Sequence, residues 1–561
     1  MMKSTLVYDR YYPYEELTEV LRRLAALRPD LAKLSSLNKT KEGRDIWLLE
    51  ITDPTTGVCG EKRAYYVDGS EHAGEVTGSM AALYFADYLL TNADAPEVAE
   101  LLKTTAFYIV PRKSPDGAEY YLTTPNTVRS VNEMYPYSKL MPGLQQKDMD
   151  GDGVIRKMRV KTPFGAWKIS AKDPRVLVKR LPDDTQGDFY DVYDEGYIEE
   201  YDGVQITVAP DKYGNDDNRN YPVSWAPENE QYGAGVYPLS QIETKTSADF
   251  VIAHKNIASV ITFHTWSGFY LYPPGMCSTK DVFDEDIRRY REMGKIAEEV
   301  TGYPAKNLFD DFTPDGVRIS SGAFDDWCHY DRGIPAYTIE CWDINPRAGV
   351  PHVWPLPARE SDEKQESDFM KLLAWVDENV PENAFREWRK FDHPQLGEVE
   401  IGGLDYKYVV QNCPPRFLQQ EVEKHTRFML RQANMLPRLL IDKAFSEKVA
   451  EGVYRVSVNV GNCGYLPTYL TREAVKRKIE NPVTVRIKGA ELLSGREETD
   501  LGSLQGFSGI PTGYSYEGMY TKNHEPLVKK AEWLVRGKPG DRIQITARCA
   551  TAGFCTREVF L

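Results

Sequence analysis

The sequence predicts an α/β protein, in which helices flank a mixed, mostly parallel sheet, followed by an all-β, sandwich-like domain. Short apolar runs are typical of buried strands, and they occur at 46–51, 64–67, 105–110, 259–265 and 336–341. Strands that alternate with helices usually form a largely parallel sheet covered on both faces. From Val453 onward, short alternating strands and glycine turns predominate, which favours a β-sandwich.

Apolar residues at helical spacing predict the helices. The first helix carries such a row before Pro29: Leu17, Val20, Leu21, Leu24 and Leu27. Further helices are predicted at 76–90, about 284–300, about 362–376 and about 417–433. The helix at 76–90 follows the strand at 64–67 after only a short polar turn.

The length indicates more than one domain, because the chain has 561 residues and single cores stop growing near roughly 250–300 residues. We expect a first, α/β domain at 1–392 and the β domain at 393–561. Within the first domain, about 130–212 is rich in Pro, Asp, Gly and Tyr and predicts a long irregular insertion. Insertions of this length usually form functional rims or lids.

The composition excludes several classes of partner. The chain carries 69 Lys and Arg against 84 Asp and Glu, a formal charge of −15, which argues against nucleic acid and anionic membranes. No signal peptide and no apolar run of about 20 residues is visible, so a cytoplasmic location is expected. The eight cysteines predict reduced thiols, with Cys549 and Cys555 as the one pair to check for a disulfide.

The turn after the strand at 64–67 contains His72 and Glu75, three residues apart. At a strand-to-helix turn, an imidazole and a carboxylate can converge on one zinc ion. The alternative is a surface histidine beside a glutamate favoured by the helix dipole. His264, at the end of the strand at 259–265, is the obvious third ligand, and two His with one Glu and an open position are typical of catalytic zinc.

Two further motifs suggest catalysis. Glu340 ends an apolar strand, where an unpaired charge is costly, and a glutamate beside a metal-activated water is a suitable general base. Asn218 and Arg219 combine an amide with a guanidinium that binds carboxylates in a bidentate manner. A solvated polar loop is the alternative for this pair.

Taken together, these motifs resemble the zinc carboxypeptidases of the carboxypeptidase A type (the M14 metallocarboxypeptidases). The matching segments follow the family's order over about residues 8–380: His72 to Glu75, Ser114 to Gly117, Asp216 to Tyr221, His264 to Ser267 with Tyr272 and Pro273, and Ser321 and Gly322 through Asp326 and Trp327 to Glu340. The resemblance implies the family's eight-stranded type of sheet.

The resemblance also implies roles for individual residues. His72, Glu75 and His264 would hold one zinc ion, with Asp216 orienting the first histidine. Glu340 would take a proton from the water that zinc activates and pass it to the leaving amine. Asn218 and Arg219 would bind the C-terminal carboxylate of the substrate.

Four positions depart from the family pattern. Arg129 fits the oxyanion-stabilising arginine only with a one-residue shift. Arg318 stands where the family has a mobile tyrosine, and it would add a second carboxylate contact. Asp325 falls in the side-chain pocket and favours a basic C-terminal residue, unless Arg318 neutralises it. Gly74 replaces an arginine directly before the ligand Glu75.

The insertion carries a candidate calcium loop. Asp148, Asp150 and Asp152 place acidic side chains at alternating positions, with Gly153 at the sixth. Arg159 stands at the twelfth position, so a complete EF-hand is excluded. A calcium loop completed by a distant carboxylate and a plain acidic turn both remain open.

These observations favour a zinc metallocarboxypeptidase that hydrolyses the C-terminal peptide bond of peptides with a free carboxylate. One alternative is a zinc amidohydrolase or deacylase of N-acyl amino acids on the same fold. The other is an inactive binding module. The complete set of metal ligands and the general base argue against this alternative. The oligomeric state is left open.

Overall fold

The computed structural model describes residues 6–313, 320–351, 362–380, 382, 384–510, 512–516, 518–521 and 525–561. The helices are α1 (Tyr14–Leu27), α2 (Val76–Thr91), α3 (Pro96–Thr104), α4 (Pro115–Thr123), α5 (Ile242–Ala253), α6 (Asp284–Thr301), α7 (Phe324–Arg332), α8 (Ile344–Arg347), α9 (Asp362–Asn379), α10 (Pro415–Met435) and α11 (Arg472–Arg477).

The strands are grouped by segment. The catalytic part contains β1 (Ala32–Lys39), β2 (Asp45–Ile51), β3 (Arg63–Gly69), β4 (Thr105–Val110), β5 (Gly143–Gln146), β6 (Lys157–Lys161), β7 (Trp167–Ile169), β8 (Leu177–Lys179), β9 (Tyr190–Asp194), β10 (Gly196–Glu199), β11 (Ile257–Thr265), β12 (Phe269–Tyr272), β13 (Ala305–Asn307) and β14 (Ala336–Cys341). The remainder contains β15 (Phe385–His393), β16 (Gly397–Leu404), β17 (Leu439–Ala450), β18 (Val453–Asn462), β19 (Val483–Lys488), β20 (Glu491–Ser494), β21 (Glu498–Gly502), β22 (Thr512–Ser515), β23 (Gly518–Thr521), β24 (Val528–Arg536), β25 (Arg542–Cys549) and β26 (Gly553–Phe560).

The main sheet confirms the predicted α/β class. Among the described residues its eight strands run in the order β1-β2-β4-β3-β11-β14-β12-β13. The four central strands β4, β3, β11 and β14 are mutually parallel, and antiparallel strands flank them. These central strands are almost entirely buried because helices cover both faces, which explains their continuous apolar runs.

The parallel centre of the sheet determines where polar side chains meet. Strands β3, β11 and β14 are neighbours and point the same way, so their carboxyl ends share one edge. His264 of β11 lies opposite Glu340 of β14 in this register. The turn that follows β3 opens at the same edge, in agreement with the general position of ligand sites in such sheets.

The insertion differs from the irregular segment that the sequence suggests. Its strands β6 to β9 join β15 and β16 in a six-stranded sheet, and β5 pairs with β10. A small separate core supports it, formed by Leu144, Met158, Ile198, Val399 and Ile401. These strands are three to five residues long, so they contain too few alternations for a recognisable pattern.

The C-terminal part contains two four-stranded antiparallel sheets, β17-β18-β24-β20 and β21-β19-β25-β26, around their own apolar core. This is the sandwich-like arrangement that the sequence predicts. Its strands begin at Leu439. The preceding helix α10, which the sequence predictions placed in the C-terminal domain from residue 393, packs on α2 and α6 and contributes to the core of the catalytic part.

The cysteines of the described residues are all free, including Cys549 and Cys555. In the same part of the chain, no helix has the length and apolar character that crossing a membrane requires.

The acidic loop of the insertion is held by arginines, and calcium is therefore not supported. Arg386 forms ion pairs with Asp150, at 2.8 Å, and with Asp152, and Arg156 approaches Asp152 at 3.0 Å. Asp148 accepts hydrogen bonds from the backbone N–H of Gly151 and Gly153, as in a polar turn.

The distant carboxylate that could complete a calcium site is Glu195. Its oxygens instead accept the backbone N–H groups of Met149, Asp150 and Arg156. The loop is therefore saturated by protein donors.

We predict that calcium leaves the melting temperature unchanged, because guanidinium groups already neutralise Asp150 and Asp152 and backbone N–H groups bind Asp148 and Glu195. Arg386→Ala should instead lower the stability by about 2 kcal/mol, since it leaves two partly buried carboxylates short of a charged donor. Thermal melts with and without calcium measure both effects. Lys390→Ala, on the exposed face of the same strand, is the control. A calcium-induced rise in the wild type would contradict this assignment.

Candidate metal centre

Three side chains converge at the carboxyl edge of the main sheet. Nδ1 of His72 lies 2.9 Å from Oε1 of Glu75, and Nδ1 of His264 lies 2.9 Å from Oε2 of the same residue. The two Nδ1 atoms are 3.0 Å apart. All three residues are buried, and within the described residues they form one of two groups whose donor atoms could hold a metal ion.

The donor set fits zinc. Zinc is held by imidazole nitrogen and carboxylate oxygen in catalytic sites, usually with three protein ligands and one open position. The second group, Asp148, Asp150 and Glu195, consists of carboxylates only and has the protein partners described above. Among the described residues, His72, Glu75 and His264 are therefore those suited to hold zinc.

The turn that carries two of these residues is tightly packed. The backbone N–H of Ala73 donates to the carbonyl of Arg129 at 2.8 Å. A Cβ atom at Gly74 would lie 2.9 Å from the ring of Tyr121 and 3.1 Å from the carbonyl oxygen of Val128. Tyr121 thus occupies the space beside the turn, and a side chain at position 74 would require Tyr121 to move.

Carboxylates on the outer side orient the two imidazoles. Nε2 of His72 lies 3.0 Å from Oδ1 of Asp216, and Nε2 of His264 lies 3.7 Å from Oε2 of Glu71. Glu71 in turn accepts a hydrogen bond from buried Lys113 at 3.0 Å, and Asp68 lies 3.3 Å from the same ammonium. Such outer partners hold metal-binding imidazoles in one tautomer and orientation.

Buried charge shifts the acid–base equilibria of the centre. Burial alone would lower the pKa of His264, but the carboxylates of Glu75 and Glu71 raise it well above its usual value. Burial alone would raise the pKa of Glu75, and the two imidazoles nevertheless hold it well below its usual range. The cluster therefore favours positive charge at its centre, where a divalent cation would bind.

Glu340 lies on the strand next to His264, at the opposing register position. Burial raises the pKa of Glu340 to about 8, and the negative charge of Glu75 adds to this effect. Its Oε2 atom is buried and has no hydrogen-bond partner among the described residues. A carboxylate with an unused oxygen beside a metal-ligand cluster is suited to accept a proton.

Arg129 reaches the same cluster from the loop after α4. Its Nε lies 3.0 Å from Oδ2 of Asp216, and its Nη1 lies 3.3 Å from Oε1 of Glu75. The side chain is 45% exposed, so part of the guanidinium faces the opening of the site. Arg129 fits the sequence motif only with a one-residue shift, and its side chain nevertheless contacts the metal-binding cluster.

The predicted carboxylate-binding pair follows Asp216 on a short 3-10 turn (Asp217–Arg219). Oδ1 of Asn218 accepts the backbone N–H of Phe324 at 2.8 Å, and Nη1 of Arg219 donates to the carbonyl of Asn218 at 2.6 Å. Both side chains are partly buried. The turn is thus joined to the start of α7, which carries Asp325.

Asp325 is buried beneath this region. Its carboxylate accepts the hydroxyl of Thr338 at 2.7 Å and the backbone N–H of Asp326 at 2.9 Å. No cation of the described residues forms an ion pair with it. Burial raises the pKa of Asp325. Arg318, predicted to contact the substrate and to neutralise Asp325, lies outside the described residues.

Sequence reasoning missed the residues that support the centre. Glu71 directly precedes His72, and Lys113 lies three residues after the buried strand β4. Charged residues close to apolar runs were therefore the available signal. Asn412 and Glu421 gave no signal because their partners are far away in sequence. Asn412 accepts the N–H of Thr77 at 3.0 Å and donates to the carbonyl of Gly74 at 2.8 Å.

Glu421 of α10 supports the strand that carries Glu340. It accepts the backbone N–H of Trp342 at 3.0 Å and the hydroxyl of Tyr303 at 2.7 Å. Trp342 has a φ of 68°, a left-handed conformation that is unfavourable for a bulky residue and is stabilised here by these contacts.

Comparisons with known proteins relate both parts of the chain to known families. The family model described as "Zinc carboxypeptidase" matches residues 17–370, and a domain of unknown function, DUF8731, matches residues 438–560. Carboxypeptidase O of Bos taurus is 23% identical over 349 residues, covering 61% of this chain and 72% of the relative. Carboxypeptidase B of Astacus astacus is also 23% identical, covering 60% and 88%.

Among solved structures, the carboxypeptidase A from Helicoverpa armigera is 16% identical, covers 68% of this chain and 76% of its own, and has a TM-score of 0.41. The family match rests on the model, which spans more than half of the chain and includes His72, Glu75, His264 and Glu340. The chain therefore belongs to the zinc carboxypeptidase family.

Proposed function

We propose that the protein is a zinc-dependent metallocarboxypeptidase that hydrolyses the C-terminal peptide bond of peptides. The observation that carries this proposal is the position of Glu340, which lies in register with His264 and beside the cluster of His72, Glu75 and His264. One edge of the sheet thus combines a metal-binding set with a base. Arg129 and the pair Asn218 and Arg219 surround the same edge.

When bound, zinc supplies a Lewis acid that polarises the scissile carbonyl and lowers the pKa of water. Glu340 accepts the proton of the attacking water on its unpartnered oxygen and passes it to the leaving amine. Arg129 donates hydrogen bonds to the developing oxyanion, because part of its guanidinium faces the opening. Asn218 and Arg219 bind the C-terminal carboxylate and so fix which peptide bond reaches the base.

A deacylase of N-acyl amino acids would use the same residues, since such substrates also carry a free carboxylate next to the scissile amide. The two reactions differ in the group on the amino side of that amide. The family match favours the peptidase over the deacylase. The complete metal-binding set and the base argue against an inactive binding module.

We predict that Glu340→Gln retains zinc but lowers kcat by about 10²–10⁴, because the amide cannot accept the proton. Steady-state hydrolysis of a C-terminal residue and metal analysis of the same preparation measure the two effects. Glu97→Gln, an exposed change of the same type, is the control and should retain full activity. A Glu340→Gln variant with near wild-type kcat would disprove the assigned base.

The metal assignment predicts close to one equivalent of zinc per chain after mild chelation. His264→Ala should lower this content severalfold, because two donors bind zinc far more weakly than three. His254→Ala is the matched control, because it replaces a histidine at the end of α5 that is not one of the three proposed ligands. Less than about half an equivalent in the wild type would count against a resident zinc ion.

The specificity proposal concerns Asp325, a buried carboxylate beside the Asn218 turn. We expect kcat/KM for C-terminal Lys or Arg to exceed that for Phe or Leu by at least about tenfold, because a cationic side chain would supply a counter-charge that no described residue provides. Asp325→Asn should remove this preference, whereas Asp331→Asn on the same helix should keep it. A panel of peptides differing only in the last residue tests this, and a preference for Phe would reject it.

A further inference from the structure

An apolar cavity lies between the insertion, helix α9 and the segment around Tyr406. Its volume is about 480 Å³, within the range of ligand-binding pockets. Aromatic and branched side chains predominate in its lining, including Trp167, Val176, Phe369, Phe385, Trp388 and Val410. Most of this lining, including β8, β15 and Val410, comes from the insertion or from residues beyond 370, outside the principal sheet.

The walls of the apolar cavity are held in place by polar contacts. Nε1 of Trp388 donates to the carbonyl of Arg175 at 3.0 Å. Arg175 forms ion pairs at 2.9 Å with Asp173 and with Asp377 of α9. The guanidinium of Arg159 lies 4.6 Å from the ring centre of Trp388. These contacts fix the aromatic walls, so the cavity is formed before a ligand binds. Four charged residues also belong to its lining: Lys157, Arg175, Lys179 and Glu366.

Tyr406 connects the apolar cavity with the metal centre. It lines this cavity and a neighbouring one of about 490 Å³, which also contains Thr127, two residues before Arg129. Burial raises the pKa of Tyr406, and Trp266, Glu75 and Arg129 act on the same phenol, which places it near the end of β11 and near the metal-binding turn. Tyr406 therefore belongs to the lining of the apolar cavity and also lies near the metal-binding turn.

The segment that carries Tyr406 is fastened to the metal-binding turn. Asn412 holds Gly74 and Thr77, as described above, and Nζ of Lys407 donates to the carbonyls of Tyr121 and Thr124 at 2.7 Å. Rigid attachment at both ends of 407–412 keeps Tyr406 at a fixed position beside Glu75. Tyr406, which lines the cavity, therefore keeps its position relative to the metal-binding turn.

The position of the cavity indicates which part of a substrate reaches it. The pair Asn218 and Arg219 is joined to α7, whereas Tyr406 adjoins Arg129 and Trp266. A substrate with its carboxylate at Asn218 and Arg219 and its amide at the metal ligands continues past Arg129. The group that extends toward Tyr406 is therefore on the amino side of the scissile bond.

We propose that the apolar cavity binds a large apolar group on the amino side of the scissile amide, which makes the protein selective for substrates with such a group. This inference rests on the proposed function, since it takes the orientation of the substrate from it. Two sources provide this chemistry: the side chain of the preceding residue in a peptide, or the chain of an N-acyl amino acid.

The test compares two pairs of compounds that share the preferred C-terminal residue X. The peptide pair is N-acetyl-Gly-X and N-acetyl-Phe-X, and the acyl pair is N-acetyl-X and N-decanoyl-X. We expect the larger member of at least one pair to show an approximately 30–100-fold lower KM, from the burial of apolar surface. The pair that shows the gain identifies the source, and equal KM values within both pairs would overturn the proposal.

Variants then locate the effect. Val178→Trp, on the short strand β8, fills the cavity, and Phe369→Asp places a charge in it. Either change should remove the gain for the larger compound and leave hydrolysis of the smaller one unaltered. Val204→Trp, at a residue of the insertion that is 83% exposed, is the control. Persistence of the gain in both cavity variants, each folded by circular dichroism, would also overturn the proposal.

A binding measurement separates this inference from the proposed reaction. Calorimetric titration of the zinc-loaded Glu340→Gln protein with the same four compounds reports affinity without turnover. Tighter binding of the larger compounds that is lost in Val178→Trp supports the proposed cavity site. This holds even if the wild type hydrolyses none of the compounds, because absent hydrolysis would reject only the proposed reaction. Equal affinities within both pairs, with normal hydrolysis of the small compounds, reject only the cavity.

Discussion

The buried carboxylate of Glu75 is the interaction on which the centre depends. One oxygen faces His72 and Arg129, and the other faces His264 and the backbone N–H of Thr265. A carboxylate removed from water is costly unless charged partners and hydrogen bonds surround it. Glu75 therefore requires the turn after β3, the end of β11 and the loop of Arg129 to meet at one point. The fold satisfies this requirement because β3 and β11 are adjacent and parallel.

Residues beyond the zinc carboxypeptidase match stabilise this arrangement. Asn412 caps the start of α2 beside Glu75, and Glu421 holds the backbone just after Glu340. Helix α10 buries its apolar face against α2 and α6 rather than against the sandwich. The catalytic part is thus a larger unit than the family match alone, and its outer segment contacts both the metal-binding turn and the strand of the base.

The insertion forms part of the wall of the apolar cavity. Its sheet incorporates β15 and β16 and, together with α9 and Tyr406, encloses the apolar cavity beside the metal centre. Arginines, rather than an ion, neutralise its acidic loop. An insertion with its own small core can form a rigid wall at the opening of a site, because its backbone hydrogen bonds are satisfied within its own sheet.

The sequence by itself determined the α/β class, because continuous apolar runs predict the buried central strands. It also singled out His72, Glu75, His264 and Glu340, because each lies near the end of such a run or in the turn that follows one. Only the tertiary structure decided which other side chains meet them. Asn412 lies 338 residues from the Gly74 carbonyl that it binds. Glu71 follows β3 and lies near His264 on the neighbouring strand β11. The short strands of the insertion and the polar edge strand β1 were likewise decided by pairing. Local patterns record whether a residue is buried, whereas contacts between distant segments depend on the packing of the whole chain.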